Sequence, residues 1–171
     1  MGREPEKPRL TATHLDVRPA SLLDVEIFEP AIRDADRLEI DAASGQTVEE
    51  ALTEGIENSR PCYAAFWKGK PLCLYGVVPE SLPGDPEQFG RIWMLGTPLI
   101  EEMGIGFLRV SRGWVDKLME RYDGVGNAVD TRNEVHIKWL LWVGFEFLPA
   151  VPMGPFSLPF IPFYRCNVLA N

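Results

Sequence analysis

The sequence predicts a mixed α/β fold built around one hairpin-rich sheet. Three observations lead there. Short apolar or alternating runs bounded by turn residues recur along the chain. Stretches with helical apolar spacing lie between them. The break Lys68-Gly69-Lys70 separates two of the runs by a hairpin's length. With 171 residues, 46% of them apolar and 25% charged, the chain has the size of one domain and can bury a core. Residues 1–12 read as a disordered tail and 13–171 as a single domain.

The elements follow in order. His14 to Pro19 alternates and stops at a proline, giving a first strand. Ser21 can cap a helix from Leu22 to about Ile32, with Asp24 in its favourable first turn. A second helix spans Val48 to Asn58, with Thr47 and Glu50 at capping-box spacing. Cys62–Trp67 and Leu72–Val78 form the hairpin. Pro79 to Gly90, rich in proline and glycine, is a loop. Ile92–Leu95 is wholly apolar, as a central strand is. Phe107 to Tyr122 is an amphipathic helix with Leu108, Val115, Leu118, Met119 and Tyr122 turned inward, ended by Asp123-Gly124. A strand Ala128–Asp130 leads to a helix Asn133–Val143, with Thr131 and Glu134 at capping-box spacing beside its start and Gly144 as its C′ exit. Phe145 to about Val151 and the proline-rich segment 155–164 close the sheet. The expectation is about seven strands and four helices.

Composition excludes several functions. A net charge of −8 without a basic stripe argues against nonspecific nucleic-acid binding. No apolar run is long enough to span a bilayer, and the first residues lack the apolar core of a secretory signal. Cys62, Cys73 and Cys166 show no metal-ligand spacing, so no metal site is expected and the thiols read as buried in a reducing compartment.

The stretch Thr131 to Phe147 carries the most information. Asn133 is followed eleven residues later by Gly144 and then Phe145, with an almost wholly apolar helix between. This resembles the second half of the GNAT (N-acetyltransferase) superfamily, where an Asn opens the last helix and a Gly-Phe closes it. The element order is similar to that superfamily over residues 13–166. The resemblance implies an acyl-CoA N-acyltransferase-like fold in which the strands ending at Leu95 and Asp130 part to leave a wedge. Backbone groups at Leu95 and Gly96 would then hold the pantetheine of acetyl-CoA. Glu101, Gly104, Ile105 and Gly106 occupy the pyrophosphate loop, and Asn133 flanks the wedge.

Two positions depart from the superfamily pattern. Glu101 stands where a Gln or Arg leads the loop, and Glu102 adds a second negative charge that repels a pyrophosphate. Leu140 stands where some members place a tyrosine general acid, and leucine delivers no proton. Tyr164, on the final strand, is either a substitute acid or a core or edge aromatic. Asp130, at a strand end, is either a base or a partner of the next helix dipole. His136 is either a base or a hydrogen-bonded structural residue. Arg91, Arg109 and Arg112 are anion contacts or solvated charges. Trp139, Trp142 and Val143 share one face of the last helix, opposite Ile137, Leu140 and Leu141, so that helix needs cover on two sides, from segment 156–163 or from a partner.

Arg91–Thr97, Phe107–Asp116, Tyr122-Asp123, Asn127–Asp130, Arg132-Asn133, His136-Ile137 and Trp139 together resemble the GNAT-like internal virion protein A, or head morphogenesis, family of short-tailed phages. That resemblance implies phage virion proteins as partners, in the cytoplasm of the infected bacterium or in the particle. Two functions follow as expectations. One is virion assembly with a degenerate acyl-CoA site. The other is an acetyl-CoA-dependent N-acetyltransferase acting on a small amine or a protein amine. Neither needs nucleic acid or a membrane, and a homo-oligomer stays open.

Overall fold

The computed structural model describes residues 14–167, so the expected 1–12 tail lies outside the described residues. The strands are β1 (Leu15–Pro19), β2 (Cys62–Trp67), β3 (Lys70–Pro79), β4 (Phe89–Gly96), β5 (Gly124–Asp130), β6 (Glu146–Phe147), β7 (Val151–Met153) and β8 (Leu158–Cys166). The helices are α1 (Leu23–Phe28), α2 (Asp34–Ser44), α3 (Val48–Asn58), α4 (Leu99–Met103), α5 (Ile105–Met119) and α6 (Glu134–Trp142). All eight strands form one mixed sheet in the order β1-β2-β3-β4-β5-β8-β6, with β7 also on β8.

The class agrees with the sequence reading; the counts differ for local reasons. The expected Leu22–Ile32 helix stops at Phe28 and continues as a 3-10 turn, Glu29–Ala31, with Pro30 inside it. Ser21 does not cap it. Instead the Asp24 carboxylate accepts the Ser21 N–H at 2.8 Å and a two-armed bond from Arg18. Helix α2 escaped the apolar pattern because its inward residues are Asp36, Ile40 and Ala42, with a carboxylate breaking the stripe. Helix α3 has the full capping box between Thr47 and Glu50. Lys68 and Gly69 both have positive φ, the geometry of a two-residue hairpin turn. At α6 the cap is Asn133, whose side chain accepts the His136 N–H, and Thr131 and Glu134 form no capping box. Gly144 leaves the helix at φ +91°. The last stretch folds as two short strands, β6 and β7, against β8 rather than as one.

Two cores sandwich the sheet. On one face α1, α2 and α3 bury Val25, Phe28, Ile40, Leu52 and Ile56 against Ala64 and Leu74. On the other, α5 and α6 bury Phe107, Val115, Leu118, Leu140 and Val143 against Tyr75, Ile92 and Val129. Strand β3, buried from Leu72 to Val77, sits at the centre, as a continuous apolar run requires.

One break in this sheet positions the site. Strands β4 and β5 run parallel and pair only through Phe89–Gly124, Gly90–Val125 and Arg91–Gly126. From Ile92 and Asn127 onward they diverge, and each C-terminal end leads toward its own helix, α5 or α6. The expected wedge is therefore present. β8 zips along all of β5, so the opening lies on the β4 side alone.

Candidate functional site in the strand wedge

The wedge encloses a cavity of about 310 Å3 that passes through the plane of the sheet. Ile92, Met94, Leu95, Asn127 and Ala128 form its strand walls; Ser111, Trp114, His136, Trp139 and Leu140 line one face, and Glu39, Ile40, Gln46 and Gly55 the other. Tyr75 and Trp114 stack at 4.8 Å and make part of the floor.

A strand edge inside such a wedge exposes backbone donors and acceptors that must be satisfied. Successive residues of an antiparallel ladder turn these groups to alternate sides. On β4, Gly96 donates its N–H to Asp36 at 2.9 Å, and its carbonyl accepts the Arg33 N–H at 2.9 Å. Four residues earlier and in the same phase, the Ile92 carbonyl accepts from Asn127 Nδ2 at 2.8 Å. Met94 lies between them on the same two-residue period and points its N–H and C=O into the cavity. The groups expected at Leu95 therefore face β3, and the open pair belongs to Met94.

Helix α2 closes the wide end of the wedge. Arg33, Asp36 and Glu39 are three residues apart and share one helical face. Asp36 takes a two-armed bond from Arg33, at 2.7 and 3.2 Å, as well as the Gly96 N–H. Burial works against the Arg33 charge, but its bonds to Asp36 outweigh that and leave its pKa raised. Glu39 accepts the Asp130 N–H at 2.9 Å and Asn133 Nδ2 at 2.6 Å. The ends of both diverging strands and the cap of α6 are thus tied to one helix through carboxylates. His136 stands beside this cluster. Its Nδ1 is buried without a hydrogen-bond partner, 3.7 Å from Glu39 Oε2.

Asp36, Glu39 and His136 bring possible metal-ligand atoms within 4.8 Å of one another. Asp36 is already saturated: Arg33 and Asn133 reach Oδ1, and Gly96 and Arg33 reach Oδ2. A carboxylate has about four acceptor positions. A cation there would meet the Arg33 charge, with His136 Nδ1 the one buried atom of the three residues' ligand set that has no hydrogen-bond partner.

The remaining predicted residues fall as follows. The Asp130 carboxylate is bound by Arg132 at 2.7 Å, and chiefly that bond holds its pKa below the ordinary carboxylate range, which suits an ion-pair partner better than a base. Tyr164 lies on β8 away from the cavity, donating its hydroxyl to Glu146 at 3.0 Å. Glu101 is on α4, a helix in the place of the expected loop. The Glu101 and Gly104 N–H groups are bonded to Pro98 and Ile100 carbonyls, and the first amides of α5, at Ile105, Gly106 and Phe107, are those without a backbone partner among the described residues. Gly104, Ile105 and Gly106 form the α4–α5 junction, and none of them lines the cavity. The groove between α5 and α6 is stitched shut. Trp139 Nε1 donates to Ser111 Oγ at 2.9 Å, Trp142 Nε1 to the Leu108 carbonyl at 3.2 Å, and Arg112 to the Trp142 carbonyl at 2.7 Å. Asp36 and Glu39 thus occupy donors at the strand ends, and Glu101 and Glu102 place exposed negative charge at the expected phosphate loop.

The sequence reading missed Arg33, Asp36, Glu39, Met94 and Asn127. Spacing by threes in the first group is a signal that three charges share a helix face, but not that the face is buried. Met94 and Asn127 are identifiable only once the strand phase is known.

No family model matches the chain. A curated protein of Escherichia phage T7, the probable scaffold protein gp13, is 28% identical over 140 residues, covering 78% of this chain and 86% of the T7 protein. Among solved structures, an acetyltransferase of the GNAT family from Streptococcus pneumoniae superposes with a TM-score of 0.59 at 14% identity, covering 89% of this chain and 98% of that one. The aminoglycoside N(6')acetyltransferase of Legionella pneumophila gives 0.68 at 12% identity, over 92% and 94%. The aminoglycoside acetyltransferase AAC(6')-Ib, solved with coenzyme A, gives 0.63 at 17% identity, over 90% and 95%. The fold is that of the GNAT acetyltransferases.

Proposed function

We propose that this chain acts in virion assembly, as a GNAT-fold protein whose acyl-CoA site has been closed by its own side chains. The observation that carries the reading is the engagement of Gly96, Asp130 and Asn133 donors by Asp36 and Glu39. The similarity to the T7 probable scaffold protein supports the direction, toward partners among phage head or internal core proteins. On this reading the chain works in the cytoplasm of the infected bacterium and enters, or helps to build, the particle. No helix among the described residues is long and apolar enough to cross a membrane.

Two measurements test the reading. Titration calorimetry with millimolar acetyl-CoA is expected to give no saturable heat, and a micromolar Kd overturns the closed site. In the phage that carries it, deleting the gene is expected to lower the yield of infectious particles while leaving replication of its DNA intact. Normal particle yield overturns the assembly role.

A second reading, an acetyl-CoA-dependent N-acetyltransferase, draws on one observation of its own. The cavity persists behind the closure, with Glu39 and Glu54 on its α2–α3 side, where an amine would find negative charge. Transfer of a labelled acetyl group to a polyamine or to a protein amine would establish it.

A further inference from the structure

On one face of the sheet α1 and α2 set acidic residues among exposed apolar side chains; on the other, α5 and α6 set mostly basic ones, with acidic Glu101 and Glu102 on neighbouring α4. At the N-cap of α1 and along it, Leu22, Leu23 and Ile27 are exposed, Leu23 at 77%, with Glu26 among them. On the same sheet face, Asp34, Leu38 and Asp41 form the outer row of α2 at helical spacing. Glu26, Asp34 and Asp41 make no ion pair among the described residues.

Across the sheet, α5 and α6 present Trp142, 46% exposed, together with Val135 and Leu141. Arg109, Arg112 and Lys138 are exposed around them, and Glu134 is the one acidic residue of α6. Asp116, the acidic residue of this face on α5, is bound by Arg165 at 2.6 Å. Trp142 is fixed in place. Its Nε1 bonds to Leu108, its carbonyl accepts from Arg112, and the Arg112 guanidinium sits 4.8 Å from its ring centre. A rigid Trp with a stacked Arg, exposed in a ring of apolar residues, is the composition of an interface anchor.

We infer that the occupant of the α5–α6 face is a second copy of this chain, presenting its acidic α1–α2 face. Charge complementarity carries the choice. The chain as a whole is at −8, its basic apolar patch lies on one side of the sheet, and a matching acidic apolar patch lies on the other. Because the two faces differ, the contact is head to tail and repeats from copy to copy, closing into a ring or extending as a filament. This goes beyond the assembly reading and does not depend on it. A chain that stays monomeric yet is still required for infectious particles sinks the contact and leaves that reading standing.

Sedimentation velocity on the purified full chain tests it. In about 20 mM salt, species larger than the monomer are expected to grow with concentration. In about 500 mM salt the screening length falls from roughly 20 Å to roughly 4 Å, and the association midpoint is expected to move at least about tenfold higher. Arg112→Glu and Leu23→Lys, each checked for native circular dichroism and melting, are expected to be monomeric alone. Mixed, they retain one intact face of each kind and are expected to form a 1:1 dimer and nothing larger. A wild-type chain monomeric at about 0.5 mM overturns the proposal. So does association that survives both substitutions, that strengthens with salt, or that is not restored to a dimer on mixing.

Discussion

Glu39 accepts from the Asp130 backbone and from the Asn133 side chain, so it joins the end of β5 to the cap of α6. Glutamine at this position keeps one acceptor oxygen but turns an NH2 toward one of those donors. We expect Glu39→Gln to lower stability by about 1–3 kcal/mol in urea unfolding; an unchanged midpoint would remove the closure argument at its centre. Leu140 makes the opposite case. It is 1% exposed and packs in the core between α6 and the sheet. Leu140→Ala should cost about 2–5 kcal/mol. That Leu140 offers no proton could be read directly from the sequence, because the residue type decides it. That Glu39 is a tie rather than a solvated charge could not, because Glu39 and Asn133 are distant in sequence and meet only through the fold.

At the scale of elements, local signals succeeded where the two partners are close in the chain. The Thr47–Glu50 box forms as its spacing indicates, and Thr47→Ala should cost about 1 kcal/mol of stability in a thermal or urea melt. Gly144 likewise ends α6 where a left-handed residue is needed. The signal at Thr131 failed because Asn133, two residues on, captured the cap. Helix α2 was hidden for a different reason: its buried face holds Asp36, and a helix partnered by charge shows little apolar period. Gly154 illustrates a tie between elements that no local pattern reports. It sits at φ +73° between β7 and β8, and a Cβ there would lie 1.9 Å from the Ala42 carbonyl oxygen on α2. We expect Gly154→Ala to lower stability by at least ~2 kcal/mol, because the turn must lift from α2 and leave its favoured backbone region.

For the whole molecule, two carboxylates set an acid limit. Asp130 is held below its ordinary pKa chiefly by its bond from Arg132. At Asp24 burial pushes the other way, but bonds from Arg18 and Ser21 outweigh it and the pKa is lowered. A carboxylate with a depressed folded pKa stabilises the fold fully above its unfolded value, near ~4, and that contribution is lost as pH falls below it. Urea midpoints should therefore lose these two contributions only below about pH 4. Asp24→Asn should be less stable than wild type at pH 7 and converge toward it near pH 2–3, whereas a constant difference across that range would contradict the ion pair. The opposed charge of the two sheet faces acts at the same scale, through the association tested by salt and by mixing.

By itself the sequence determined the mixed α/β class, the order of most elements, the Asn133-to-Phe145 frame of the last helix and the acidic character of the would-be phosphate loop. Each of these depends on residue type, short spacing or periodicity, which act within a few residues. Only the tertiary structure decided how the wide end of the wedge is tied. That tie requires Arg33, Asp36 and Glu39 to meet Gly96, Asp130 and Asn133 across 60 to 97 residues of chain. Contacts between parts of the chain so far apart are fixed by how the two cores pack on the sheet, and no local pattern encodes them.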